Sequence, residues 1–247
     1  CNLLEMSAEG KLYLFYRWID PALTPETSQV YYITSTDGGS TWSADAPIYE
    51  VLHASTYWHI VGNGVNRIDF VATDLVPSST SNASLGHFYM TGGNLYKTDG
   101  TLISAARPIG FTDITKIIDG PTVGGGCFPF DISPTGPTVA VNVYLTGGTN
   151  NAFYDVRYTG GSWSSHLIAN SGGVFYGQQS PGLSLDRANP DAYICSIKVG
   201  SDWQMFAYSS GDNGVTWAQG AQITSTSSPT VHVWPQSVVD HSSGLTW

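Results

Sequence analysis

Ser35-Thr-Asp37-Gly-Gly39-Ser-Thr41-Trp42 and Ser210-Gly-Asp212-Asn-Gly214-Val-Thr216-Trp217 share the pattern S-x-D-x-G-x-T-W, and this repeated octet decides the fold. Its chemistry is local. The Asp side chain can accept hydrogen bonds from turn amides, and the second Gly can take the positive φ that a tight turn requires. The Thr suits an adjoining strand, and the Trp is expected to close a hairpin by packing its ring into the sheet core. Asp37 and Asp212 are therefore expected to be structural. The octet lacks the regularly spaced carboxylates and terminal Glu of an EF-hand loop, so no metal is expected there.

Two eroded copies are read between the intact ones. Lys97-Thr-Asp99-Gly100-Thr101 keeps the Asp and a Gly, and Tyr158-Thr-Gly-Gly161-Ser-Trp163 keeps Gly and Trp. The landmarks Asp37, Asp99, Gly160 and Asp212 are then 62, 61 and 52 residues apart, from differences of their numbers. A period of that length holds four short strands with their connections, which is one propeller blade. The runs Lys11 to Trp18, Val30 to Thr34, Arg67 to Thr73, Thr138 to Leu145, Tyr154 to Tyr158, Ala192 to Val199 and Trp203 to Tyr208 are rich in Tyr, Val, Ile and Phe and are bounded by Gly, Asn, Asp and Ser. That is the signature of strands and turns, and no segment carries a sustained helical period. The expected fold is an all-β β-propeller of four-stranded antiparallel blades, as one domain over residues 1–247. The period allows about four to five blades. A small closed propeller, shortened later blades and a piece of a larger propeller all fit. Pro77 to Leu85, with its Ser-rich stretch, reads as a surface loop.

Composition narrows the partners. The 247 residues carry 28 Gly, 13% aromatic and only 11% charged residues, with nine Lys and Arg and a formal net charge of −10. The cations are scattered singly, so nothing resembles a phosphate-binding stripe and nucleic acid is not expected. No apolar run is long enough to span a bilayer as a helix. Cys1, Cys127 and Cys195 have no zinc-ligand spacing, and an odd count leaves their disulfide pairing open. A first-residue Cys is what a processed lipoprotein displays, and a trimmed chain is the alternative.

The two octets resemble the Asp boxes (BNR repeats) of sialidases and their wider superfamily, where the motif joins the third and fourth strands of a blade. A finer resemblance is to the BNR-type propellers that include ulvan lyases. It is carried by Lys11-Leu-Tyr-Leu-Phe-Tyr-Arg17, Arg67-Ile-Asp69-Phe, Gly86-His87-Phe-Tyr89, Tyr154-Asp-Val-Arg157-Tyr158 and Gly182-Leu-Ser-Leu-Asp186. A lyase acting on a uronic acid must neutralise the carboxylate, remove the C5 proton and protonate the departing oxygen, tasks that suit Arg, His and Tyr. The resemblance implies His87, Tyr154 and Arg157 as such groups, with Tyr176 in Val174-Phe-Tyr-Gly177 as a fourth candidate. Where the ulvan lyases carry a further His in an Asp-Gly-His-Pro segment, this chain reads Asp74-Leu75-Val76-Pro77. His59 is either a spatial substitute or a strand histidine. For Arg157, an ion pair with Asp155 is the structural alternative.

The chain departs from the sialidase pattern. Arg17 stands in Tyr16-Arg-Trp-Ile-Asp20 rather than Arg-Ile-Pro, and there are only four Glu, although Arg17, Arg67 and Arg107 could come together from different blades. The expectation is a secreted or cell-surface, carbohydrate-active protein that acts on an acidic polysaccharide, as a uronate lyase by β-elimination, with no cofactor. The alternatives are a non-catalytic carbohydrate-binding propeller, stacking Trp and Tyr on sugar rings, and a sialidase-like glycoside hydrolase.

Overall fold

The computed structural model describes residues 2–20, 27–51, 57–78, 80–133, 137–145, 147–175, 180–225, 231–233 and 235. Four antiparallel sheets follow one another along the chain, each with its strands paired in sequence order. The first comprises β1 (Asn2–Met6), β2 (Lys11–Asp20), β3 (Thr27–Ser35) and β4 (Ala46–Val51). The second comprises β5 (Trp58–Gly62), β6 (Ile68–Thr73), β7 (Leu85–Thr91) and β8 (Asn94–Lys97), with β9 (Thr115–Ile118) added against β7. The third is β10 (Gly125–Ile132), β11 (Thr138–Leu145), β12 (Asn151–Thr159) and β13 (Ser162–Asn170). The fourth is β14 (Leu183–Leu185), β15 (Ala192–Val199), β16 (Asp202–Ser209) and β17 (Ala218–Gln222). Helix among the described residues is limited to Gly120–Val123 and a 3-10 turn at Phe111–Asp113. The sequence expectation of four-stranded antiparallel blades holds.

The sheets fall into two compact units. One is Cys1–Val76 with Ser84–Ile117, and the other is Pro77–Ala83 with Ile118–Trp247. In the first unit, the period of two along β2 turns Tyr13 and Phe15 inward while Leu14 and Tyr16 stay half-exposed. Phe15 meets Phe70 edge-on at 5.3 Å, and Phe70 stacks on Phe88 at 4.6 Å. In the second unit, Ala140 and Phe153 of the third sheet pack with Leu183, Tyr193, Cys195 and Phe206 of the fourth. Each buried ring contributes roughly 2 kcal/mol by leaving water. Cys127 and Cys195 are buried thiols with no disulfide between them.

The two octet turns have the same internal wiring, one in each unit. Asp37 Oδ1 accepts from the Thr41 amide (2.9 Å) and Oδ2 from the Thr41 hydroxyl (2.6 Å), while Asp212 does the same with Thr216 (2.8 and 2.6 Å). The Ser35 and Ser210 hydroxyls complete the ring of bonds, and Gly39 and Gly214 have φ of 92° and 84°. The Thr bonds hold both carboxyls down at about 2, from an ordinary 3.8. A depressed carboxyl stabilises the fold above its unfolded value, and that contribution disappears as the pH falls through the folded one. Asp37→Ala and Asp212→Ala should therefore each lower the melting temperature by a few degrees at neutral pH. The gap from wild type should close as the pH is taken from 3.8 towards 2. A gap that persists in acid would show that the carboxylate is not what the turn uses.

Three local expectations need correction. Trp42 is 36% exposed and does not enter the sheet core; its indole N–H donates back to Gly39 O at 3.0 Å, so the ring lies over its own turn. The turn joining the third and fourth strands of the second sheet is at Gly92-Gly93, whereas Asp99 caps a later hairpin, in which the Lys97 amide donates to Thr101 O. The 77–85 segment is not simply a surface loop, because Ala83 and Ser84 are buried and the Cys127 amide of β10 donates to Ala83 O.

Candidate functional site

Arg157 projects from β12, on the face that carries Phe153 and Asp155, since alternate residues of a strand share a side. It is 5% exposed. Its Nε donates to Asp155 Oδ2 (2.6 Å), one terminal nitrogen donates to Asp191 Oδ1 (2.7 Å) and Asn213 Oδ1 (3.1 Å), and the other donates to Pro190 O. Asn213 lies inside the second octet at φ 60°, and Trp217 of the same octet faces the guanidinium at 5.7 Å. A methyl group at Gly214 would come within 2.5 Å of Arg157 Nε and Asp155 Oδ2, so this turn can carry only Gly there. Asp155 is also buried and accepts from the Tyr193 hydroxyl at 2.7 Å. Burial pushes its carboxyl up, to about 6, against the pull of Tyr193 and Arg157. The guanidinium thus clamps the third sheet to the octet turn of the fourth.

His87 lies in β7 and is 0% exposed. Nε2 stands 3.0 Å from Asp69 Oδ1 and Nδ1 stands 2.8 Å from Thr98 Oγ1. Burial lowers the imidazole pKa, so the ring is neutral at physiological pH. The consistent tautomer has Nε2–H donating to the Asp69 carboxylate and Nδ1 accepting from the Thr98 hydroxyl. Burial pushes Asp69 up, but the His87 and Arg67 hydrogen bonds outweigh it and hold that carboxyl below its ordinary value. Arg67 forks onto Asp69 at 2.6 and 3.0 Å and lies over the Tyr89 ring at 3.8 Å.

Tyr154 is half-buried on β12. Being three residues from Arg157, it points to the opposite face of the third sheet, so these two candidates do not share a site. Tyr176 lies outside the described residues. His59 and His87 share a face of the second sheet, each directly opposite Val71 across its neighbouring strand. The three arginines weighed as a cluster are tied separately. Arg17 faces Tyr57 at 5.9 Å, Arg67 holds Asp69, and Arg107 donates to Tyr32 Oη (3.1 Å) and to Gly93 O. Among the described residues, no group of three His, Cys, Asp or Glu could hold a metal ion.

The partners that sequence reasoning missed are Asp69 and Thr98 for His87, and Asp191 and Asn213 for Arg157. Asp69 carried a signal, an Arg-x-Asp alternation on a strand that puts both side chains on one face. Asp191 and Asn213 carried none, being 34 and 56 residues from Arg157.

No known protein family matches the sequence, and no curated protein matches it. Solved structures do match. An ulvan lyase of polysaccharide lyase family PL25, bound to a GlcA(1-4)Rha3S repeat, superposes with a TM-score of 0.67 at 14% identity, over 90% of this chain and 55% of its own. The polysaccharide lyase Uly1 superposes with a TM-score of 0.54 at 12% identity, over 98% of this chain and 52% of its own. The chain therefore spans about half the length of these proteins. At such identities the likeness is one of fold alone.

Proposed function

We propose that this chain is the glycan-handling propeller of an extracellular protein that acts on an acidic polysaccharide. The observation that supports this reading is the extended likeness to an ulvan lyase fold, together with octet turns that resemble Asp boxes. Fold likeness alone does not assign chemistry, so the reading is divided by residue. His87 and Arg157 are spoken for by buried carboxylates, and we assign them to holding the fold and not to contact with the glycan. A lyase mechanism would fall to Tyr154 and Tyr176, with phenol and phenolate exchanging the C5 and leaving-group protons.

Incubating the folded chain with polysaccharides rich in glucuronate, iduronate or guluronate, and watching for the ultraviolet absorbance of an unsaturated uronate end, tests this directly. Unsaturated product that is lost in Tyr154→Phe or Tyr176→Phe supports the lyase. Retention of the polymer without product supports binding alone, and neither retention nor product overturns the proposal. Because the chain carries a net charge of −10, it repels a polyanion at long range. Moderate salt should therefore raise the association rate until it also screens the local contacts. A rate that falls monotonically from the lowest salt would contradict this.

A further inference from the structure

The sequence contains two Asn-Gly dipeptides, Asn63-Gly64 and Asn213-Gly214. Such a pair is open to an internal reaction, because the glycine has no side chain to block the approach of its nitrogen to the asparagine side-chain carbonyl. Attack joins the glycine nitrogen to Cγ, expels Nδ2 as ammonia and leaves a five-membered succinimide. Water then opens that ring at Cγ to give aspartate, or at the main-chain carbonyl to give isoaspartate, whose backbone runs through Cβ and is longer by one methylene. The fold treats the two dipeptides differently.

Asn63 opens the exposed turn between β5 and β6. Its Oδ1 accepts from three successive main-chain amides, those of Val65 (2.9 Å), Asn66 (3.0 Å) and Arg67 (3.0 Å), so the side chain is folded forward over the chain that follows it. Negative charge develops on this oxygen as a nitrogen adds to Cγ, and three amides at these distances are the donor set of an oxyanion hole. The nucleophile is uncommitted. The Gly64 amide has no hydrogen-bond acceptor among the described residues, and open space surrounds the position where a Cβ would stand. The leaving nitrogen, Nδ2, makes a long hydrogen bond to Asn66 Oδ1 (3.4 Å).

Asn213-Gly214 is held shut. Gly214 is buried and its amide donates to Ser210 Oγ at 2.8 Å, while Asn213 Oδ1 accepts from Arg157 at 3.1 Å. Bringing the Gly214 nitrogen onto Cγ would break the Ser210 bond and move a residue packed against Arg157 and Asp155. The octet has to open before this asparagine can react.

We propose that Asn63 is a self-modification site, at which the folded turn promotes its own deamidation. The consequence is mechanical. Gly64 O accepts from the Ser7 amide (3.2 Å) and hydroxyl (2.8 Å), and Val65 O accepts from the Ala8 amide (2.9 Å), so this turn ties the second sheet to the β1–β2 turn of the first. Aspartate at this position keeps the acceptor and strengthens it by its charge. Isoaspartate displaces Gly64 O and Val65 O from their donors, and the tie loosens as the protein ages. None of this rests on the glycan reading.

The test incubates the full chain in mildly alkaline buffer, folded and in urea, and follows the peptides holding Asn63 and Asn213 by mass spectrometry, with chromatography to separate aspartyl from isoaspartyl forms. In the folded chain Asn63 should convert at least tenfold faster than Asn213, and in urea that gap should collapse. Folded Asn63 should also react at least as fast as unfolded Asn63. The isoaspartyl fraction should melt several degrees below the fresh chain and exchange its Ala8 amide hydrogen faster. Asn63→Asp should melt at or above wild type, and Asn63→Gln, whose ring closure is less favourable, should resist conversion. The proposal is overturned if Asn63 reacts more slowly folded than unfolded, or if Asn213 keeps pace with it in the folded chain. It is equally overturned if the isoaspartyl fraction melts as the fresh chain does.

Discussion

Arg157→Met is expected to destabilise the second unit by about 3–5 kcal/mol, the usual consequence of leaving a buried carboxylate without its counter-ion. Asp155 is buried and takes its ionic partner from Arg157 Nε, so Met fills space but supplies no charge. The double variant Asp155→Asn with Arg157→Met should recover most of the loss. It removes both charges together, and the amide oxygen still accepts from the Tyr193 hydroxyl. Urea unfolding of the two variants and wild type measures this. If Arg157→Met instead abolished glycan binding while its unfolding midpoint stayed put, Arg157 would be a ligand-binding arginine and not a clamp.

A second large effect is expected at His87. His87→Ala removes two buried hydrogen-bond partners, one of them to a carboxylate, and leaves a cavity, for a loss of about 3 kcal/mol in the first unit. His87→Gln, which can still donate towards Asp69, should lose less. The pH dependence has a definite sign. Because the folded imidazole titrates below its ordinary 6.5, its contribution is complete above that value and is lost as the pH falls beneath it. Wild type should therefore lose stability on acidification below 6.5, and His87→Gln should not share that slope. A catalytic histidine would show instead as lost turnover with an unchanged midpoint.

The contrast between Arg157 and the octets explains how much the sequence discloses. The octet is a contact among residues two to four apart, so its pattern carries its geometry: Asp37 and Asp212 bond to Thr41 and Thr216 as their spacing implies. Strand positions were legible for the same reason, since the alternation of Tyr13 and Phe15 with Leu14 and Tyr16 is a local period. The landmark at Asp99 misled because an Asp-Gly turn serves any hairpin, and only pairing shows which strands it joins. The candidate site was far less legible. His87 and Arg157 are polar residues on strands, and composition cannot say whether such a residue faces a ligand or a buried carboxylate. The opposition of Tyr154 and Arg157 was readable from their separation of three along one strand. The stacking of Tyr16 on Tyr31 was not, because the two meet only through the register of β2 against β3.

The most direct measurement for the central claim is equilibrium binding of the folded chain to a uronate-containing polysaccharide at physiological ionic strength, by calorimetry, with an uncharged polysaccharide of similar length alongside. The expected result is saturable binding of the acidic polymer, unchanged in His87→Gln at a temperature where that variant is folded. No heat and no retention with any acidic polysaccharide, from a chain whose circular dichroism shows it folded, would contradict the assignment of this propeller to acidic glycans.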